Sequence, residues 1–241
     1  MKNLLVTGCS GGIGQSIVQH FKKEGWFVIG TDIKDSNHCD VFIQCDLQNP
    51  VDIPNISKHL NKENVKTLHG LVNNAAIQII KKIEDVTPED WYRTLSINLI
   101  SPYMLIQSLI PFLKGNGHIV NISSIHANLT KKYFSLYASS KGGLNTMTKS
   151  LALELAPDIR INAILPAATL TKMLEEGFQD NPEQLKLLVE CHPLNRLAQP
   201  VEIAKAVQYL LSDESSFMTG SLLEINGGIG SLLHDPSLYQ R

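Results

Sequence analysis

Long apolar runs are what this 241-residue sequence has least of. Stretches such as Leu4 to Val6 and Ile119 to Val120 fall far short of the ~20 residues a bilayer-spanning helix needs, so no membrane partner is expected. An excess of one charge sign is also missing: 21 Lys and Arg against 23 Asp and Glu leave a formal net charge of -2. A nucleic-acid-binding chain would show a basic stripe, so no nucleic-acid partner is expected either. Cysteine is scarce, and Cys9, Cys39, Cys45 and Cys191 have spacings that fit neither a metal site nor a disulfide framework. Reduced thiols, no metal and a cytoplasmic location follow as expectations. Met1-Lys2-Asn3 runs straight into a strand-like segment, so no cleaved signal is expected. Repeats, low-complexity stretches and linkers are lacking as well. What remains is an ordinary folded composition, 43% apolar and 18% charged, long enough for one α/β domain over residues 1–241.

Short β-rich runs alternate with helical patterns along the chain. Asn3 to Val6, Trp26 to Thr31, Val41 to Cys45, Leu68 to Val72, His118 to Ile122, Ile159 to Leu165 and Leu222 to Ile225 read as seven strands. Helices are expected from about Ile13 to Lys23, ended by Gly25, and from Pro88 to Leu113, started by Thr87 at the N-cap. Two more run from Tyr137 to Ala156, stopped by Pro157, and from Pro200 to about Leu211. Strands buried on both faces and alternating with helices imply a doubly wound, Rossmann-type parallel sheet of seven strands flanked by helices.

Two constellations carry chemistry. Thr7-Gly8-Cys9-Ser10-Gly11-Gly12-Ile13-Gly14 joins the first strand to the first helix and reads either as a plain strand–helix turn or as a loop whose glycines let the backbone approach a pyrophosphate lying on the helix N-terminus. Asp32 lies 18 residues beyond Gly14 at the end of the second strand. There it reads either as the acid that accepts hydrogen bonds from the adenosine ribose or as a surface turn acid. In the first role it repels a 2′-phosphate, which favours NAD over NADP. Lys34 is read as solvated. The second constellation, Tyr137-Ala138-Ser139-Ser140-Lys141, sets a phenol and an ammonium one turn apart on a helix face. A nearby cation lowers a phenol's pKa toward the working range, although Y-x-x-x-K alone is also a common structural pattern. Ser124, at the carboxyl end of the fifth strand, can hold a substrate oxygen in line with that phenol.

Taken in order, Thr7-Gly8-x-x-x-Gly12-x-Gly14, Asn73-Asn74-Ala75, Ser124 thirteen residues before Tyr137, and Tyr137-x-x-x-Lys141 resemble the short-chain dehydrogenase/reductase family over roughly residues 3 to 230. The resemblance implies that Tyr137 is general acid/base and that Ser124 orients the substrate. Lys141 would bind the nicotinamide ribose and depress the tyrosine pKa, and Asn98 would support a water-linked proton relay or satisfy backbone at a helix kink. It also implies a cofactor cleft formed by Gly8, Ser10, Gly12, Ile13, Gly14, Asp32, Asp46, Leu47, Asn74, Ala75, Ala76, Pro166, Thr169 and Thr171, together with Tyr137 and Lys141. Departures from the family pattern are Ala76 and Ala167 in place of Gly, Asn226 in place of Asp in the closing Asn226-Gly227-Gly228 turn, and only 13 residues between Asp32 and Asp46. Residues 35–40 therefore read as a turn replacing a crossover helix.

Substrate is expected between the loop after Ser124 and a lid at roughly 167–198. Gln78, His126 and Ala168 are the candidate contacts, His126 being equally readable as an ordinary loop histidine. Leu170, Met173, Leu174, Phe178, Leu185 and Leu188 fall at helical spacing, for a lid or interface helix or for direct contact. Lys131-Lys132 reads as solvated charge or as a partner for an anion. The expected activity is hydride transfer between NAD(H) and a secondary alcohol or carbonyl, the substrate a sugar, polyol or hydroxy acid. An NAD-dependent epimerase or dehydratase and a non-catalytic NAD-binding scaffold are the alternatives. The family resemblance implies a homotetramer or homodimer through the Tyr137 helix and its predecessor, with Ser139, Ser140, Gly142 and Gly143 permitting close approach. The tail from Leu232 to Pro236 is a candidate for docking on a neighbouring subunit.

Overall fold

In the first strand, β1 (Asn3–Thr7), successive side chains leave on opposite faces: Leu4 and Val6 enter one core and Leu5 the other. That division repeats across the sheet. The computed structural model describes residues 1–36, 38–115, 117–179 and 181–232, so the tail beyond Leu232 lies outside the described residues, as does the side chain of Met173. The other strands are β2 (Phe27–Asp32), β3 (Val41–Gln44), β4 (Gly70–Asn73), β5 (His118–Ile122), β6 (Arg160–Pro166) and β7 (Leu222–Ile225). They form one seven-stranded sheet in the order β3-β2-β1-β4-β5-β6-β7, every neighbouring pair parallel. The chain winds outward from β1 to β3 and then, from β4, outward the other way. A crevice therefore opens between the carboxyl ends of β1 and β4, where ligands of such sheets bind.

Helices cover both faces. On one, α1 (Gly12–Lys23) and α8 (Pro200–Leu211) bury Ile17, Phe21, Ile203 and Val207 against Leu4, Val6 and Val28. On the other lie α2 (Ile53–Lys62), α3 (Pro88–Leu95), α4 (Ser101–Leu113) and α5 (Ser135–Leu155). Leu105, Leu109 and Leu151 pack there against Leu5, Ile29 and Leu71. Between β6 and α8 stand two short helices, α6 (Lys172–Gly177) and α7 (Pro182–Glu190). Thr169 bridges to Ala198 and ties the two ends of that excursion together.

Local signals explain several boundaries. Thr87 closes a capping box with Asp90 and puts Pro88 in the first turn of α3. Gly25 follows α1 with φ +77°, a conformation that favours glycine. Tyr137 falls within the first turn of α5, which begins at Ser135 rather than at Tyr137 itself. The expected single helix from Pro88 to Leu113 is continuous but widened by a π-helical stretch, Ser96–Ile100, with Asn98 buried in it. By length and composition this 26-residue span could cross a bilayer; in the fold its apolar face closes the core instead. The β2–β3 connection contains no helix among the described residues, in line with its short span. Sequence analysis did not anticipate α2, although Ile53, Ile56 and Leu60 mark its buried face at helical spacing.

Candidate active site

The glycine loop owes its shape to Thr7. The Thr7 hydroxyl accepts from the main-chain N–H groups of Asn74 and Ala75, both at 3.0 Å, and Asn74 Nδ2 donates in return to the carbonyls of Thr7 and Gly8. The end of β1 is thus clasped to the end of β4 across the crevice. Glycine is required where backbones meet: Gly8 has φ +64°, and a β-carbon there would lie 2.8 Å from Ala75 Cα. A β-carbon at Gly14 would collide with the Gly8 carbonyl, and one at Gly12 would press at 2.8 Å on Thr171. Such a cradle exposes main-chain N–H groups at the start of α1, suited to a phosphate.

Asp32 closes the outer end of this loop. Its carboxylate accepts from Ser10 N (3.1 Å) and Lys34 N (3.2 Å) and remains part-exposed. Beside it the Ser10 hydroxyl donates to the Lys34 carbonyl at 2.9 Å. Asp46 is exposed, while Leu47 is buried and its carbonyl accepts from Ser101 Oγ. Ile13, Asn74 and Ala75 are half-buried along the crevice, and Ala76 is exposed. Across it, Pro166 ends β6, Thr169 is buried with its hydroxyl on the Ala167 carbonyl (3.1 Å), and Thr171 caps α6.

The candidate reaction centre lies at the carboxyl end of β5. The Ser124 hydroxyl neighbours the Tyr137 phenol and accepts from His126 N at 3.2 Å. Lys141 is fully enclosed; its ammonium donates to the Ile122 carbonyl at 2.8 Å and sits 5.7 Å from the centre of the Tyr137 ring. Burial without a counter-ion lowers its pKa from 10.5 to about 7. Here the structure departs from expectation. The Tyr137 phenol is pushed above its ordinary value by burial, with the neighbouring Ser124 hydroxyl working the other way. The Lys141 ammonium is directed to the Ile122 carbonyl rather than to the phenol.

Asn98 takes the structural half of its expected role with its side chain. Oδ1 accepts from Ile77 N and Nδ2 donates to Ile77 O, both at 2.9 Å, with a further bond to Ser140 Oγ at 3.0 Å. It thereby fastens the loop after β4 to the widened helix and to α5. Ser140 and Gly143 are spent on this contact inside the protomer, since a β-carbon at Gly143 would lie 3.0 Å from Leu99. Only Ser139 and Gly142 of the small-residue set remain for an external neighbour. At the closing turn, Asn226 Oδ1 accepts from Gly228 N as an aspartate would, and Nδ2 donates to Glu224 Oε2 at 2.6 Å, which an aspartate could not do.

Of the candidate substrate contacts, His126 is brought to the centre. Its ring packs against Phe134 (4.6 Å between centroids) and edge-on to Tyr137 (6.1 Å), and its buried Nδ1 has no partner. Burial lowers its pKa. Gln78 is exposed in the loop after β4, and Ala168 is half-buried after β6. Lys131 lies over the Phe134 ring at 4.4 Å. Leu185 and Leu188 of α7 are only half-buried. Sequence analysis missed Phe134, which is 3% exposed and wedges both His126 and Tyr137, and it missed the Ile122 carbonyl that holds the lysine. Phe134 had a signal, as the apolar residue between an exposed lysine pair and the helix start. A main-chain carbonyl has none.

A doubly wound sheet with a glycine cradle at β1 and a Ser-Tyr-Lys centre at β5 defines a nucleotide-binding oxidoreductase class, and sequence comparison agrees. Residues 8–230 match a family model described as Enoyl-(Acyl carrier protein) reductase. An uncharacterized short-chain type dehydrogenase/reductase, y4vI of Sinorhizobium fredii, is 33% identical over 93% of this chain, which spans 43% of that relative's length. The ligand-free structure of Thermoplasma acidophilum aldohexose dehydrogenase superposes with TM-score 0.92 at 34% identity, covering 97% of this chain and 96% of the other. The NADP-bound structure of ElxO superposes with TM-score 0.88 at 27% identity, covering 96% and 99%. The chain belongs to the short-chain dehydrogenase/reductase family.

Proposed function

We propose that this protein transfers a hydride between NAD(H) and a secondary alcohol or carbonyl compound, with Tyr137 as general acid/base. The observation that carries the reading is the convergence of the Ser124 hydroxyl, the Tyr137 phenol and an enclosed Lys141 at the crevice edge of the sheet. A bound nicotinamide supplies hydride transfer; the glycine cradle, Asp32, Asn74, Ala75, Thr169 and Thr171 are the residues that would hold the dinucleotide. The chain's own part is to place and move a proton. Ser124 fixes the substrate oxygen beside the phenol, and Tyr137 gives it a proton in reduction or takes one in oxidation. Lys141 stabilises the phenolate when charged, and its lowered pKa makes that help sensitive to pH near neutrality. Asn98 holds the loop that walls the site.

Asp32 supports NAD over NADP, because a 2′-phosphate would meet its carboxylate. Titration of the protein with NADH and NADPH, repeated on Asp32→Ala, tests this. Preference for NADH that the substitution relaxes supports it, whereas stronger NADPH binding overturns it. A sugar, polyol or hydroxy acid is the proposed substrate class, supported by the polar His126 and Gln78 and by similarity to an aldohexose dehydrogenase. Screening such compounds with NAD, then comparing KM in His126→Ala and Gln78→Ala, decides it; unchanged KM in both speaks against that class. Tyr137→Phe should cut kcat about 100-fold or more while NADH binding persists. Segment 167–198 is proposed as the substrate lid of a single domain. A homodimer or homotetramer in the cytoplasm is the proposed working form.

A further inference from the structure

Gly30, in the middle of β2, has no side chain, and two sulfurs fill the space one would occupy. A β-carbon there would collide with Cys39 Sγ and lie 2.7 Å from Cys9 Sγ. Cys9 belongs to the glycine loop, between Gly8 and Ser10, and is fully buried. Cys39 comes from the short β2–β3 connection and is part-exposed. The two sulfurs therefore converge on one spot over Gly30. Neither takes part in the proposed hydride chemistry.

We propose that Cys9 and Cys39 form a peroxide-sensitive dithiol site that closes to an intramolecular disulfide and thereby weakens dinucleotide binding. The coupling to binding rests on the reading of the glycine loop as the phosphate cradle; the disulfide itself does not. The environments of the two sulfurs divide the roles. Cys39 is held below the ordinary thiol range, first by the Cys9 thiol beside it and further by Ser36 and the Lys22 ammonium. Cys9 is pushed up by its Cys39 neighbour and by burial. The accessible, more acidic Cys39 is therefore the nucleophile, and Cys9 the protected resolving thiol. In the first step the Cys39 thiolate attacks peroxide: an S–O bond forms, the O–O bond breaks, and hydroxide leaves to take up a proton. Cys9 sulfur then attacks the sulfenic acid: the S–S bond forms, the S–O bond breaks, and water departs with the Cys9 proton. Two thiols lose two electrons in all, and peroxide becomes two waters.

Closure must draw the sulfurs from contact to about 2.05 Å. Both anchors resist. The loop is fixed by Gly8 N on the Thr31 carbonyl (2.8 Å) and Ser10 N on Asp32, and the connection by Asp40 N on Val28 O (2.9 Å). Closure therefore strains the loop whose N–H groups would hold a phosphate, and that strain is what would weaken dinucleotide binding.

The test treats the full-length reduced protein with hydrogen peroxide, maps peptides without reductant, and titrates NADH before treatment, after it, and after dithiothreitol. A cross-linked peptide pair containing Cys9 and Cys39 is expected. NADH affinity should fall about tenfold, a loss of roughly 1.4 kcal/mol, and recover on reduction. Cys39→Ser should keep its affinity through the treatment. If that variant does not fold, mapping of the native chain still decides. Cys39 oxidised to sulfinic acid beside a free Cys9, or no cross-link at all, overturns the site. A cross-link with unchanged NADH affinity overturns the coupling alone. Failure of the reduced protein to bind NADH would instead count against the cofactor reading, with the peptide map unaffected.

Discussion

Lys141 carries a charge that the fold disfavours, and its titration should be visible in stability. Folding lowers its pKa from 10.5 to about 7, so between those values the unfolded chain holds the extra proton and stability rises with pH. Urea unfolding of the native chain should therefore gain about 2 kcal/mol more between pH 7 and pH 9 than that of Lys141→Met. Equal gains would mean that the lysine finds a counter-charge in solution. Asn226 makes a second case at this scale. Its amide satisfies Gly228 N and Glu224 together, so Asn226→Asp keeps the turn but sets two carboxylates side by side. A loss of about 1–2 kcal/mol at pH 7, shrinking as pH falls through the carboxylate range, is the expected result of thermal or urea melts. An aspartate at 226 would face Glu224 of β7 without a proton to share.

Among the elements, the clasp between β1 and β4 holds the site open. Thr7→Val removes the acceptor for two main-chain N–H groups and should cost about 2 kcal/mol or more, together with weaker dinucleotide binding. Calorimetry and an NADH titration on that variant measure the two effects separately. Unchanged binding would show that the loop keeps its shape without the clasp. This level also shows what a sequence can and cannot convey. All seven strands were legible because each is a short, largely apolar run, buried on both faces in the middle of the sheet and only partly so in β3 and β7, and the loop glycines because tight turns leave few alternatives. Strand starts at Trp26 and Leu68 were read early: Trp26 turns aside to stack edge-on with Phe21, and Leu68 N bonds the Phe112 carbonyl. The π-helical widening around Asn98 depends on a bond to Ile77, 21 residues away, which no local pattern records. The pairing of Ser124 with Tyr137 was legible from spacing and family order. The electrostatic balance between Tyr137 and Lys141 was not, because it depends on how completely the fold encloses each group.

For the molecule as a whole, exposed apolar side chains mark where copies would meet. Tyr92, Ile100 and Tyr103 on the long helix pair and Leu153 on α5 stand 69%, 49%, 44% and 84% exposed. These are the Tyr137 helix and its predecessor, the elements expected to join subunits, though Ser140 and Gly143 are already engaged within the protomer. Sedimentation should show a dimer or tetramer, and Leu153→Glu should shift it toward smaller species. A native chain sedimenting as a monomer would overturn the proposed assembly.

The winding order has a consequence for how the chain is made. β1 bonds β2 on one side and β4 on the other, and the Thr7–Asn74 clasp joins residues 67 apart. During synthesis, then, a nascent chain that has released β1, β2 and β3 still shows a bare strand edge, and it waits for Gly70–Asn73 before that edge is covered. Edges of this kind template pairing between neighbouring chains. Ribosome-stalled fragments ending before residue 70 should therefore cling to chaperones or to one another, and those extending past β7 should do so less.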